Sequence, residues 1–166
     1  MPCDNIALIA AAGSGKTTYI VDEVTKNTTD KILLVTYTIA NTRKLKKDIE
    51  AKVGVVPSNV EIMTWHSFLL QHCIRPFRSV AYKKRIERID FDSKIENYKI
   101  PEKNTRAYYF SCNNALYKDR ATKFAIKCNT LSNNAVIERL ESIYSLIYID
   151  EVQDMAGEDL DLLTLL

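Results

Sequence analysis

The sequence predicts an α/β fold, a parallel sheet flanked by helices with a mostly helical insertion before the last strand. Three observations lead there. Short runs rich in Ile, Val and Leu recur along the chain. Longer segments of helical periodicity separate them. One long stretch, from about residue 76 to 144, breaks the alternation and is rich in charge and aromatic side chains. Strands that alternate with helices are connected by crossovers, which make the strands parallel.

The apolar runs are Ile6–Ala11, Lys31–Thr36, Val60–Thr64 and Leu146–Ile149. Each is too short for a buried helix and suits a buried strand. Helices are expected at Thr17–Lys26, at Ile39–Val53 with Leu45, Ile49 and Val53 on one face, and at Ser67–Arg75. Within the insertion, Thr105–Asn129 and Asn134–Tyr144 read as helices, with Tyr108, Tyr109, Phe110, Leu116, Tyr117 and Phe124 available for packing. Ala156–Leu166 reads as a last helix with Leu160, Leu163 and Leu166 inward. The chain stops inside that apolar run, which predicts an N-terminal piece of a longer protein.

At 166 residues, 46% of them hydrophobic and 27% charged, the chain can bury a core, and its composition excludes collagen, long disorder and coiled coil. No apolar run is long enough to span a membrane, and Met1–Asp4 does not read as a signal peptide, so a cytoplasmic location is expected. Cys3, Cys73, Cys112 and Cys128 are widely spaced, as suits reduced thiols. His66 and His72 have no Cys partner at zinc-ligand spacing. With 23 Lys+Arg against 21 Asp+Glu, the net charge of +2 points to no partner by itself.

Two segments carry chemistry. Ala10-Ala11-Ala12-Gly13-Ser14-Gly15-Lys16-Thr17 follows one predicted strand and opens a helix. Small residues let backbone N–H groups wrap a phosphate, and the helix N-terminus adds partial positive charge. Lys16 would reach the β- and γ-phosphates, and the Thr17 hydroxyl would sit on Mg²⁺. The strict P-loop pattern has Gly where Ala10 stands. Ala12, Gly13, Ser14, Gly15, Lys16, Thr17 and Thr18 are the candidate nucleotide-binding residues.

The second segment is Leu146-Ile147-Tyr148-Ile149-Asp150-Glu151-Val152-Gln153-Asp154. Ligands of open α/β sheets bind outside the carboxyl ends of the strands, which is where these acids fall. Asp150 could hold Mg²⁺, and Glu151 could orient or deprotonate a water. Taken alone, acids after a strand also serve as a helix cap. Taken with Lys16, they point to nucleoside triphosphate hydrolysis.

The pair resembles motifs I and II of the UvrD/Rep/PcrA-like superfamily-1 DNA helicases. Ile32-Leu33-Leu34-Val35-Thr36-Tyr37-Thr38, followed by Ala40, Arg43 and Leu45, is similar to motif Ia of that family. Glu61-Ile62-Met63-Thr64-Trp65-His66-Ser67-Phe68 is similar to its motif Ib. The resemblance implies a RecA-like P-loop domain at 1–75, an inserted 1B-like helical subdomain at 76–144, and the RecA-like domain resuming at 145–166. It also implies ATP and Mg²⁺ as cofactors, and single-stranded DNA or a single-strand/duplex junction as partner. Glu151 becomes the catalytic base, Lys16 and Gln153 further catalytic residues, and Thr17 and Asp150 the metal-site residues. Tyr37, Thr64 and His66 line the DNA path. An aromatic at Tyr37 suits that role because every base offers a face to stack on, although core packing is the common fate of Tyr37 and Trp65 alike.

The family's adenine-reading Gln has no counterpart before the first strand, and Ala11 replaces a usual Gly. The basic residues between Arg75 and Arg106 suit phosphate contacts, but Glu87, Asp90, Asp92, Glu96 and Glu102 among them equally suit a solvated face. The function expected is the N-terminal ATP-binding portion of an ATP-dependent single-stranded-DNA translocase or helicase, an enzyme as the full protein but inactive as this piece. A small P-loop kinase or other NTPase, and a non-enzymatic nucleic-acid or partner-binding module, are the alternatives.

Overall fold

The computed structural model describes residues 6, 15–93, 95, 100–111 and 114–166. The strand expected at Ile6–Ala11 lies almost wholly outside the described residues, as do Ala12, Gly13 and Ser14 of the phosphate loop. The chain is α/β, built on a parallel sheet flanked by helices.

Helix α1 (Lys16–Lys26) leads into β1 (Ile32–Thr36), α2 (Ile39–Val53) and β2 (Val60–Thr64). A short helix α3 (Trp65–Phe68) then runs into a π-helical turn, Leu69–Ile74. The last strand of the main sheet, β5 (Leu146–Ile149), comes after the insertion. The sheet order is β2-β1-β5, with both pairings parallel. The boundaries of α2 have local causes. The Thr38 hydroxyl accepts the Asn41 N–H at 3.1 Å, which satisfies an otherwise orphan donor. Gly54, at φ 86°, ends the helix in the left-handed conformation.

Alternation along β1 sorts two cores. Ile32 and Leu34 face Ile20, Val21 and Val24 of α1 and Leu45 and Ile49 of α2. Leu33 and Val35 face the other way, into a larger core that includes Met63, Trp65, Phe68 and much of the insertion. Val53, expected on the inner face of α2, is 44% exposed at the helix's last position, next to Gly54.

In the insertion, β3 (Ile89–Asp90) pairs in parallel with β4 (Leu116–Tyr117). Helices α4 (Thr105–Tyr109), α5 (Ala121–Leu131) and α6 (Ala135–Ile143) follow along the insertion. The single helix expected over Thr105–Asn129 is corrected to two, with a reversal between them. Ser111 donates its N–H to the Ala115 carbonyl at 2.9 Å, and Asn114 takes φ 54°. Asparagine tolerates that left-handed conformation, so the turn is cheap. Phe110 and Leu116 then bridge antiparallel across it. The helix expected at Ser67–Arg75 is present but changes to π-helical winding after Phe68, and the Arg75 N–H reaches the Leu70 carbonyl at 3.0 Å.

Strand β5 (Leu146–Ile149) closes the sheet, and α7 (Glu158–Leu163) follows it. The last helix is shorter than the Ala156–Leu166 expected. Its inner face also differs, because Leu162 is fully buried while Leu160 is 44% exposed. Asp159, Leu162, Leu163 and Leu166 share the inner side at helical spacing. A charged residue on that face disguises it in the sequence. Among the described residues, no helix is long and apolar enough to cross a membrane.

Candidate nucleotide and nucleic-acid sites

Parallel strands place their carboxyl ends on one edge. Register aligns Thr36 with Thr64 and Val35 with both Met63 and Ile149, so Tyr37, Trp65 and Asp150 all emerge on that edge. The N-terminus of α1 meets them there. Gly15 caps α1 at φ 87°, a conformation an L side chain rarely adopts. Lys16 and Thr17 form the first turn.

The Thr17 hydroxyl lies 3.5 Å from Asp150 Oδ2, across 133 residues of sequence. Asp150 is buried and continues the β5 ladder, donating its N–H to the Val35 carbonyl at 2.9 Å. Its Oδ1 accepts the Glu151 N–H at 3.1 Å. Burial, and then the negative charge of Glu151, push the Asp150 carboxyl above its ordinary range. Hydrogen bonds from Glu151 N–H and Thr17, and the charge of Lys16, work against that. Glu151 sits at φ 60°, an uncommon left-handed conformation for a non-glycine residue. Its carboxylate accepts a hydrogen bond from the Gln153 side-chain amide. A hydroxyl beside a buried carboxylate at a helix N-terminus is a donor set that fits Mg²⁺, which takes one or two protein oxygens and leaves the rest to water and phosphate. Thr18 is exposed on the outer side of the same turn.

The second feature on this edge is a groove of about 350 Å³. Tyr37, Thr64 and His66 all line it, together with Ile39, Arg88 and Phe91. Tyr37 and His66 meet edge to face at 5.9 Å between centroids. Burial, and then the charge of Lys118, hold the His66 imidazole below its usual pKa, so it faces the groove as a neutral ring at pH 7. Thr64 has a local duty as well. Its hydroxyl caps α3 by accepting the Ser67 N–H at 3.3 Å. Trp65 is fully buried and meets the Phe68 ring at a tilt, with centroids 5.4 Å apart. Its indole N–H donates to Asp159 at 2.8 Å, so core packing is its role.

Phe91 and Asp159 escape the sequence reading. Phe91 carries a weak signal, a lone aromatic ending a basic run. Asp159 carries none, since its partners Trp65 and Thr122 lie far away in sequence.

No curated protein sequence matches the chain. The family model of the UvrD/REP helicase N-terminal domain matches residues 1–127. That match takes in the phosphate loop, β1 with Tyr37, and the Thr64–Phe68 segment, and with a RecA-like parallel sheet around them the chain belongs to the UvrD/REP helicase N-terminal domain family.

Proposed function

We propose that the chain is the N-terminal ATP-binding portion of an ATP-dependent single-stranded-DNA translocase or helicase of the UvrD type, acting on single strands or single-strand/duplex junctions. The observation that carries this reading is the approach of Thr17 to Asp150 on the sheet edge that also holds the aromatic groove. In this reading residues 1–75 and 145–166 form the RecA-like part, and 76–144 the inserted part. Such a motor works on cytoplasmic DNA.

The proposed roles follow from chemistry. Backbone N–H groups of Ala12–Gly15 and the start of α1 receive phosphate oxygens, with Thr18 adding its N–H. Lys16 supplies a cation to the terminal phosphates. Thr17 and Asp150 hold Mg²⁺, which when bound neutralises developing charge on the phosphates. Glu151 takes a proton from the attacking water. Gln153, through its hydrogen bond to Glu151, fixes the direction in which that carboxylate points. Tyr37, Thr64 and His66 line the path of the single strand, where aromatic faces meet bases. A small P-loop kinase transfers the phosphoryl group to a bound acceptor, whereas Glu151 held by Gln153 suits activation of a water, which favours the motor over that alternative.

The test is equilibrium binding of a fluorescent ATP analogue with and without Mg²⁺. The chain binds saturably and in a Mg²⁺-dependent way, and Lys16→Ala weakens binding by about tenfold or more, as expected for loss of a charge-assisted contact. Equal binding by both proteins would exclude the phosphate-loop assignment.

A further inference from the structure

The segment 83–91 is built to present one aromatic ring. Ile86 and Ile89 are buried in the larger core and anchor it from beneath. The Arg75 guanidinium donates to the carbonyls of Ile86, at 3.4 Å, and Glu87, at 2.5 Å, which ties it to the end of the π-helical turn. The Asp90 carboxylate accepts the N–H groups of Asp92 at 3.1 Å and Ser93 at 2.9 Å, closing a turn around Phe91. Those bonds, Ser93 first, hold the Asp90 carboxyl down to about 2.

Phe91 emerges at that turn 59% exposed, with its ring centroid 5.0 Å from His66. His66 is in turn against Tyr37, so the rings of Tyr37, His66 and Phe91 succeed one another along the groove. A phenyl ring that packs into no core yet is held in place by a turn is available to a ligand with a flat apolar face. The charges nearby fit the same ligand. Lys83, Lys84, Arg85 and Arg88 are exposed along the segment, and Arg88 lines the groove. Glu87 also lines it, and its carboxylate lies 3.8 Å from Arg85.

We propose that Phe91 is a further base-contacting residue, which extends the single-stranded DNA path beyond Tyr37 and His66 onto the inserted segment, with the phosphates passing along Arg88 and its cationic neighbours. This rests on the reading of the groove as the DNA path. Stacking of a base on an aromatic ring tolerates any sequence, whereas the cations respond to phosphate alone.

The experiment measures binding of the 166-residue chain to a labelled oligo-dT and to an abasic oligomer of equal length, by fluorescence anisotropy. Wild type is compared with Phe91→Ala, Phe91→Trp and Tyr37→Ala, each checked for unchanged thermal unfolding. Phe91→Ala weakens oligo-dT binding about tenfold and leaves the abasic oligomer unaffected, while Phe91→Trp binds as wild type. Equal weakening on both oligomers would overturn the stacking role. If Tyr37→Ala weakens oligo-dT binding and Phe91→Ala does not, the inference is wrong and the DNA reading of the groove survives. Failure of wild type to bind either oligomer would remove both.

Discussion

The carboxyl of Asp150 titrates above its ordinary range because the folded chain buries it beside Glu151. A group so shifted holds its proton more tightly folded than unfolded. Its contribution to stability is therefore greatest in acid and falls as pH rises from about 3.8 through the raised folded value. At pH 7, well above the ordinary carboxylate range, burying this carboxyl is a cost to the nucleotide-free fold. Asp150→Asn should consequently raise the melting temperature of the ligand-free chain at pH 7. A gain of about 1 kcal/mol would appear as about 2–4 °C in a chain of this size. The gain should shrink as the pH is lowered through the acid range. The same substitution should abolish any further stabilisation by Mg²⁺ and ATP. Differential scanning fluorimetry at several pH values reads both effects, and a variant less stable than wild type at pH 7 would contradict the account.

Helix α7 is short, but a single side chain ties it to two distant elements. Asp159 accepts the Trp65 indole N–H and the Thr122 hydroxyl, joining the segment after β5 to α3 and α5. Asp159→Ala leaves a buried indole N–H without a partner, at a cost of about 1–3 kcal/mol. Asp159→Asn keeps an oxygen in place and should retain most of that stability. Chemical denaturation of both variants distinguishes a hydrogen-bonding role from a merely electrostatic one. Elements also mark where the sequence is legible. Strands β1, β2 and β5 declare themselves because short runs rich in Ile, Val and Leu or Met between turn signals suit a buried strand. Helix α2 is equally plain, with a hydroxyl cap at one end and Gly54 at the other. The turn between α4 and α5 is hidden, because aromatic residues on both sides of it mimic helical periodicity. The cue lies in Ser111 and Asn114, polar turn formers inside an otherwise packable run. On the site, Lys16, Thr17 and Asp150 are readable from spacing, while Phe91 and Asp159 depend on contacts formed only in three dimensions.

At the scale of the whole molecule, the sheet and the insertion share one core. Leu33, Val35 and Met63 from the sheet lie in the same cluster as Phe124, Cys128, Val136 and Leu140 from the insertion. Tyr109, Phe110 and Phe124 meet within it at centroid distances of 4.9 Å and 5.3 Å. Thermal unfolding should therefore be a single cooperative transition, with calorimetric and van't Hoff enthalpies in agreement. Two resolved transitions would mean that the insertion melts independently of the sheet.

Trp65 is the one tryptophan of the chain, and it is sealed from solvent beside His66 of the groove. The molecule therefore carries its own optical reporter. Its emission should be blue-shifted in the native state and respond to events at the groove without any attached dye, so that occupancy of the strand path and loss of the fold can be followed in one unlabelled sample.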